Sequence, residues 1–214
     1  MKILVTAFDP FGGEKVNPAA LAVSLLKENI AGASIIKLTV PTIFNKSIAT
    51  VYEEINKENP DVVICVGQAG GRSHITVEKV ALNLNDARIP DNEGNQPIDT
   101  TIFADGETAY FSTLPIKAMV SYMKENGVPA TVSYTAGTFV CNHLMYGTLY
   151  HIHNSFSHIR GGFIHVPYIP EQVSSRNDDM PSMSIDMIVL GLELAITATV
   201  ENYEDIKTSG GTLH

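Results

Sequence analysis

Short runs of β-branched residues alternate with segments of helical period along this sequence, and this alternation most constrains its fold. Residues 3–6 and 62–66 are apolar runs long enough for one buried strand each. Between such runs, apolar residues recur three or four positions apart, as in amphipathic helices. Strands separated by helices favour right-handed crossovers and a sheet covered on both faces. The sequence therefore predicts an α/β fold, a three-layer α/β/α sandwich with a largely parallel (mixed) central sheet.

The pattern also predicts the individual elements. Asn17 is expected to cap a first helix whose apolar stripe extends to Ile30, and a final helix is expected to start at Ser184. Residues 83–108 are rich in Asn, Asp, Gly and Pro, which predicts an irregular segment. No repeat or linker divides the chain, so one domain over residues 1–214 is expected. The remaining strands are predicted at 35–40, 75–82, 131–134 and 162–166, and the remaining helices at 44–55, at 116–123 and from about Cys141.

Composition excludes several classes of protein. Hydrophobic residues make up 44% of the chain and charged residues 17%, which is typical of a protein with a real core and excludes disorder. The net charge of −9 opposes binding to nucleic acid or to an anionic membrane. No apolar segment approaches the roughly 20 residues of a membrane span, and the N-terminal run is too short for a signal peptide. A cytoplasmic protein is expected.

Cys141 is the first candidate for chemistry. The two cysteines, Cys65 and Cys141, are too few for a disulfide scaffold. A thiol in the first turn of a helix lies at the positive end of the helix dipole, which favours the thiolate form. The alternative is a small buried hydrophobe on the helical stripe. Cys65 lies within an apolar strand and is expected to be structural.

His165 and Glu78 are the next candidates. A neutral imidazole near the end of a strand can take a proton from a thiol and later give it to a leaving amine. The alternative is a core histidine bonded to a backbone carbonyl. In a strand over residues 75–82, alternation places Glu78 on the face of Val80 and Leu82, where a carboxylate needs a partner. Orienting an imidazole and pairing with Lys79 or Arg72 are both open.

The strand ends define where a site is expected. Four segments should meet beyond the carboxyl ends of the strands: residues 8–13, residues 67–71, the turn before Cys141 and the strand end with His165. Phe8 and Phe11 are two aromatics close together on the first loop. They either pack on the core or form flat walls for a small planar ligand. Nucleotide-binding, metal-binding and serine-hydrolase motifs are lacking, so no metal site is expected.

Five segments together resemble one known family, the pyroglutamyl-peptidase I (pyrrolidone-carboxylate peptidase) family of cysteine peptidases. The likeness covers essentially the whole chain in order, although residues beyond about Glu201 match nothing in it. The segments are residues 8–13 with Asn17 and Pro18, residues 67–72, residues 88–92, residues 137–142 and residues 162–167.

The resemblance implies an omega-peptidase that removes an N-terminal pyroglutamyl (5-oxoproline) residue through a thiolate nucleophile and an acyl-enzyme. It implies that Cys141 is the nucleophile, His165 the general base and then acid, and Glu78 the residue that orients His165. It also implies a homotetramer without a cofactor. The substrate-binding residues it implies are Phe8, Phe11, Asn17, Thr42, Gln68, Arg88, Ile89, Phe139 and Val140, with Arg88 beside the oxyanion region.

Two other classes remain open at this point. A different cysteine hydrolase on the same scaffold would prefer another acyl group, and substrates with pyroglutamyl, prolyl and glutaminyl groups separate the two. A binding module would keep the pocket without a competent thiol. A neutral lactam pocket should in any case reject proline, because its buried polar groups would be left unpaired.

Overall fold

A computed structural model gives the structure of residues 1–176 and 178–211. The end of the predicted domain, residues 212–214, lies outside the described residues. In chain order the elements are β1 (Lys2–Phe8), α1 (Pro18–Leu25), β2 (Asn29–Ile30), β3 (Ala33–Val40), α2 (Lys46–Glu58), β4 (Val62–Gln68), β5 (Ile75–Glu78), β6 (Val80–Leu82), β7 (Ala109–Phe111), α3 (Ile116–Glu125), β8 (Ala130–Ser133), α4 (Val140–Ser155), β9 (Arg160–Val166), α5 (Pro170–Val173) and α6 (Ile185–Glu201).

Seven strands form the central sheet in the order β2-β3-β1-β4-β9-β5-β8. Strands β3, β1, β4 and β9 are parallel to one another. Strand β5 is antiparallel to β9 and parallel to β8, and β2 is antiparallel to β3. The prediction of a mostly parallel, mixed sheet in an α/β fold is confirmed.

The two faces of the sheet carry separate apolar clusters. On one face, alternate strand residues such as Ile3, Val5 and Ile64 pack against α1, α3 and α6. On the other face, Leu4 and Cys65 pack against α2 and α4. Strand residues therefore alternate between two buried faces, which explains why the strands are apolar throughout. None of the helices within the described ranges combines the length and apolar character needed to cross a bilayer.

The segment predicted as one strand over 75–82 is two strands in two sheets. Strand β5 ends at Glu78, and β6 begins at Val80 and pairs with β7, which the sequence did not predict. The backbone N–H of Lys79 bonds to the carbonyl of Ser133 at 2.7 Å, and its carbonyl accepts from Ser112. The chain thus changes sheets at Lys79, and the predicted continuous alternation from Glu78 to Leu82 is wrong.

The first helix is shorter than predicted. Asn17 caps α1 as expected, accepting a hydrogen bond from the backbone N–H of Ala19, with Pro18 in the first turn. The helix ends at Leu25, and Ile30 lies in β2 instead. Leu26 and Ile30 are nevertheless buried in the cluster that α1 contributes to. An apolar residue at helical spacing can be buried from a turn or a strand, so the apolar periodicity continued past the residue at which α1 ends.

The short helix α5 was not predicted from the sequence.

The irregular segment over residues 83–108 is confirmed, and polar side chains fix it to the rest of the fold. The carboxylate of Asp91 accepts hydrogen bonds from the backbone N–H groups of Phe44, Glu93 and Asn95, each at 2.9 Å. Within the segment, Asn85 and Thr100 form an isolated β-bridge. The segment is therefore long and aperiodic but well anchored.

Candidate active site

Sheet register brings the candidate residues to one place. His165 in β9 is paired with Gly67 in β4 and with Thr76 in β5. Directly paired residues project to the same face of a sheet. Phe163 lies two residues before His165 in β9 and therefore projects to the same face of the sheet. Phe163 packs in the apolar cluster that includes α4, so His165 and its strand partners face α4 as well. Phe163 is itself paired with Cys65 in β4 and with Glu78 in β5, so these three side chains share that face.

Cys141 is the second residue of α4 and lies over Gly67. A side chain on Gly67 would place its first carbon 3.1 Å from Sγ of Cys141 and 2.8 Å from the Phe163 ring. The absence of a side chain at Gly67 is therefore what lets the sulfur approach β4. Because Gly67 is the strand partner of His165, the thiol above Gly67 and the imidazole are neighbours near the carboxyl ends of β4 and β9.

The start of α4 has no side-chain cap. Phe139 occupies the N-cap position and has no side chain that could accept a hydrogen bond from the helix. The first intrahelical bond is that from His143 N–H to the Phe139 carbonyl. The backbone N–H groups of Val140, Cys141 and Asn142 therefore have no partner within the helix. These are donors of the kind that stabilise an oxyanion.

Burial opposes the thiolate form of Cys141. Burial of the sulfur, followed by the negative charge of Glu78, raises the pKa of the Cys141 thiol to about 12, although the charge of Arg72 lowers it. The residue as a whole is half-buried. The sequence predicts that the helix start favours the thiolate, and burial acts against that effect in the resting site. A neighbouring base must take the proton.

His165 and Glu78 are bonded to each other. Nδ1 of His165 lies 2.8 Å from Oε1 of Glu78, and both residues are buried, with Glu78 fully so. The acceptor is a carboxylate, so Nδ1 carries the proton and Nε2 is left as the basic nitrogen. Antiparallel pairing of β5 with β9 makes this possible, since Glu78 and Thr76 share one face beside His165.

Glu78 also pairs with Arg72, so two of the three partners considered from the sequence, His165 and Arg72, are present, whereas Lys79 lies over the Phe111 ring. Nη1 of Arg72 lies 2.6 Å from the same oxygen, Oε1. Burial raises the pKa of Glu78, but the hydrogen bond and charge of His165, the nearby Ser133 hydroxyl and the charge of Arg72 outweigh it and leave the pKa below its usual value. The carboxylate is thus ionised at neutral pH.

The aromatic residues are arranged around the helix start. Phe8 is buried and lies 6.4 Å from Phe163 between ring centroids, so it belongs to the core wall beneath the site. Phe11 and Phe139 are half-buried with ring centroids 6.3 Å apart. Val140 is fully buried. Phe11 and Phe139 are therefore the two rings that still offer surface to a ligand.

Asn17 and Thr42 are both bonded to Asp9, a residue that the sequence analysis did not single out. Oδ1 of Asp9 accepts from the backbone N–H of Thr42 at 2.8 Å and from its hydroxyl at 2.7 Å. The carbonyl of Asp9 accepts from the Asn17 amide at 3.2 Å. Asn17 and Thr42 are buried, so their side chains fix the shape of this loop.

The other predicted residues differ in their surroundings. Gln68 is half-buried, and its Oε1 accepts from the amide of Gln172 at 3.0 Å. Arg88 and Ile89 are exposed, and within the described ranges no hydrogen bond or ion pair of the Arg88 side chain is formed. Their segment approaches the site through Asp86, whose backbone N–H and carbonyl bond to the carbonyl and hydroxyl of Thr138 at 3.0 and 2.8 Å.

Asn142 is a second residue that sequence reasoning missed. Its amide group accepts from the backbone N–H of Leu82 at 2.9 Å and donates to the carbonyls of Leu82 and Leu84. It thereby fixes the start of the 83–108 segment directly beside Cys141. The signal available in the sequence was position: Asn142 and Asp9 are short polar side chains inside the segments that carried the family resemblance, and such side chains bond readily to nearby backbone.

Cys65 occupies the interior of β4. It is fully buried, and burial raises the pKa of its thiol to about 11. Its sulfur lies 3.9 Å from the Thr148 hydroxyl. The structure therefore confirms Cys65 as a core residue. Across residues 1–176 and 178–211, no three His, Cys, Asp or Glu side chains are grouped so as to hold a metal ion.

The site combines a half-buried thiol at a helix start with a neighbouring imidazole whose second nitrogen bonds a buried carboxylate. These are the catalytic groups of a cysteine-type hydrolase. The comparisons with known proteins specify this class further. Residues 1–202 match the pyroglutamyl peptidase family, and the chain belongs to that family.

Three members of this family match the chain over nearly its whole length. A pyrrolidone-carboxylate peptidase of Clostridium perfringens is 61% identical over 213 residues, with 100% of both chains covered. The crystal structure of pyroglutamyl peptidase I from Bacillus amyloliquefaciens is 54% identical and superimposes with a TM-score of 0.94, covering 97% of this chain and 99% of that one. The pyrrolidone carboxyl peptidase of Thermococcus litoralis is 36% identical with a TM-score of 0.93, again covering 97% and 99%.

Proposed function

We propose that this protein is a cysteine exopeptidase that hydrolyses the bond after an N-terminal pyroglutamyl residue. Family membership over residues 1–202 supports the activity and substrate class. The observation that carries the mechanism is the bond between His165 and the fully buried Glu78, beside Gly67, over which the thiol of Cys141 lies.

In the proposed reaction, Sγ of Cys141 attacks the pyroglutamyl carbonyl carbon while its proton passes to Nε2 of His165. The imidazolium then gives that proton to the leaving amine as the C–N bond breaks, leaving a thioester. Water hydrolyses the thioester with His165 again as base, and pyroglutamate is released. Glu78 holds the imidazole in the required tautomer and balances its charge. Because burial raises the pKa of the Cys141 thiol, transfer of its proton to His165 supplies the thiolate that attacks.

The oxyanion of the tetrahedral intermediate is assigned to the uncapped N–H groups at the start of α4, with Arg88 beside it. Phe139, at the N-cap, provides no side-chain acceptor to compete for these groups. Such preorganised donors stabilise charge that develops only in the transition state.

The pocket is proposed to hold a neutral lactam. Phe11 and Phe139 provide ring surfaces, with Phe8 and Val140 beneath them. Asn17 and Thr42 fix the shape of the loop through their hydrogen bonds to Asp9. Gln68 and Ile89 are the remaining residues proposed to bind the substrate. A pyroglutamyl ring carries no charge, so aromatic walls and a few polar groups suit it.

The test compares aminocoumarin substrates that carry pyroglutamyl, prolyl and glutaminyl groups. We expect hydrolysis of the pyroglutamyl substrate alone. C141S should fold and lose activity by several orders of magnitude, because a serine hydroxyl is a far weaker nucleophile. C65S is the matched control and should retain activity. Preference for another acyl group would show a different amidase, and turnover retained in C141S would remove Cys141 from the mechanism.

The peptidase is proposed to act as one unit over residues 1–214, as a homotetramer in the cytoplasm, without a cofactor and without nucleic-acid or membrane partners. These proposals rest on the family resemblance and on the net charge of −9. Sedimentation equilibrium of the purified protein should give four times the mass of one chain. A monomer mass at micromolar concentration would contradict the tetramer.

A further inference from the structure

Among the described residues, one oxygen of Glu78 makes all of its hydrogen bonds. Oε1 accepts from Nδ1 of His165 at 2.8 Å, from Nη1 of Arg72 at 2.6 Å and from the hydroxyl of Thr76 at 3.2 Å. Oε2 is buried and makes no hydrogen bond within the part of the chain that the structure describes. The geometry of the His165 bond is therefore tied to the same atom that Arg72 holds.

Arg72 is the permanent positive charge at this carboxylate. The groups that face Glu78 are His165 from β9, Thr76 from its own strand, Ser133 from β8, the Cys141 thiol from α4 and Arg72 from the segment before β5. Lys79 is adjacent in sequence but lies over the Phe111 ring, 5.2 Å from its centroid. Among these groups Arg72 carries its charge at every accessible pH, so it balances the buried negative charge whether or not the imidazole is protonated.

The same guanidinium also contacts the segment that leads to the nucleophile. Nη2 of Arg72 lies 3.4 Å from the carbonyl of Thr135, and Nη1 donates to the hydroxyl of Thr76. Residues 134–139 connect β8 to α4, whose second residue is Cys141. The planar fork of an arginine can make these contacts at once, which a lysine cannot reproduce in full.

We propose that Arg72 is a positioning residue for the reaction: it keeps Glu78 ionised and fixes its Oε1 so that His165 holds its proton on Nδ1. This inference rests on the proposed function for the role of His165. Without Arg72 the buried carboxylate would bind a proton more readily. A protonated Glu78 would no longer need the Nδ1–H donor, and Nε2 would lose its fixed role as acceptor.

The experiment uses R72Q, R72K, E78Q and the double variant R72Q/E78Q in the full-length chain, with a pyroglutamyl-aminocoumarin substrate. For R72Q we expect kcat to fall at least about tenfold with little change in KM, since Arg72 is not placed against the substrate. We expect the acidic limb of the pH profile to move up by about one pH unit. R72K should recover part of kcat and most of that pH shift, because it restores the charge.

The double variant separates an effect through Glu78 from an independent one. In E78Q the side chain at position 78 is neutral and does not need the charge of Arg72, so adding R72Q to E78Q should cost less than about twofold. Fully additive losses, or an acidic limb unmoved in a folded R72Q protein, would overturn the proposal. K27Q, which removes a surface ion pair with Glu193 on α6, is the control and should behave as the wild type.

A measurement without substrate keeps the two proposals distinguishable. The Nδ1–H proton of His165 can be followed by NMR against pH in the wild-type and R72Q proteins. We expect its resonance to change at higher pH in R72Q. If the wild type fails to cleave the pyroglutamyl substrate, the proposed function is wrong, and this resonance still decides the role of Arg72. An identical pH response in both proteins would refute that role.

Discussion

At the scale of single residues, the two cysteines differ in access, while burial raises the pKa of both thiols. Cys65 is fully buried inside β4, and Cys141 is half-buried at the start of α4. Burial raises the pKa of the Cys65 thiol to about 11 and, together with the charge of Glu78, that of Cys141 to about 12. Access favours reaction at Cys141, and protonation slows it.

We therefore expect iodoacetamide to label Cys141 alone in the folded protein, with a rate that rises about tenfold per pH unit between pH 7 and 9. The thiolate is the reactive form, and its fraction grows tenfold per unit below the pKa. Mass spectrometry of labelled peptides over time measures both site and rate, and C65S should give the same profile. A rate that is already maximal below pH 7 would show a preformed thiolate instead.

For Glu78, the sequence predicted the need for a partner but not which partner it would have. The sequence indicated that a carboxylate among apolar neighbours needs a partner, and it left an imidazole and pairing with Lys79 or Arg72 as alternatives. In the structure His165 and Arg72 both bond to the same oxygen of Glu78. Strand pairing decides this, because β5 is antiparallel to β9 and brings Glu78 beside a histidine 87 positions away in sequence. Neither periodicity nor composition could indicate that pairing.

At the scale of the elements, α3 is capped by a residue far along the chain. Pro115 at its N-cap provides no side-chain acceptor. Instead the carboxylate of Asp205 accepts from the backbone N–H groups of Lys117 and Ala118, at 3.0 to 3.1 Å. Asp205 lies beyond residue 202, where the family match ends. The final segment thus stabilises a helix that its own sequence leaves uncapped.

D205A should lower the free energy of unfolding by about 1 kcal/mol, the usual cost of losing a helix cap. Urea unfolding followed by circular dichroism measures this. E204Q is the matched control, because Glu204 is exposed and adjacent, and it should be within about 0.5 kcal/mol of the wild type. Equal stabilities of D205A and E204Q would show that the contact contributes nothing to folding.

The elements that sequence reasoning missed share a cause. Strands β2, β6 and β7 have two or three residues each, and α5 has four. So short a segment contains less than one clear period of either pattern. The break at Lys79 was missed for the opposite reason, because apolar residues continue through it although the hydrogen-bond partners change.

At the scale of the whole molecule, two buried carboxylates make stability depend on acidic pH. Burial raises the pKa of Asp91, but bonds from Asn95, Phe44 and Glu93 outweigh it and leave the pKa lowered. The pKa of Glu78 is lowered as well, by His165, Ser133 and Arg72 against burial. A lowered folded-state pKa gives stability that is present above the unfolded-state pKa and lost as pH falls through the folded-state value.

We therefore expect the free energy of unfolding to decrease steeply as pH falls below about 4.5. D91N should be less stable than the wild type by about 1–3 kcal/mol at pH 7, and the difference should shrink as the pH falls below about 4. Thermal unfolding at a series of pH values measures both. E53Q, an exposed carboxylate on α2, is the control. A constant difference between D91N and wild type at all pH values would contradict the assignment.

The sequence by itself determined the layer order, most helices and strands, and the family, because these depend on local periodicity and on segments that are contiguous in the chain. Cys141, His165 and Glu78 were chosen from such segments. Only the tertiary structure decided that β5 runs against β9, that Gly67 makes room for the sulfur, and that Arg72 shares the oxygen that His165 uses. These are contacts between distant residues, and their geometry and desolvation arise only when the strands have paired and α4 has packed on them.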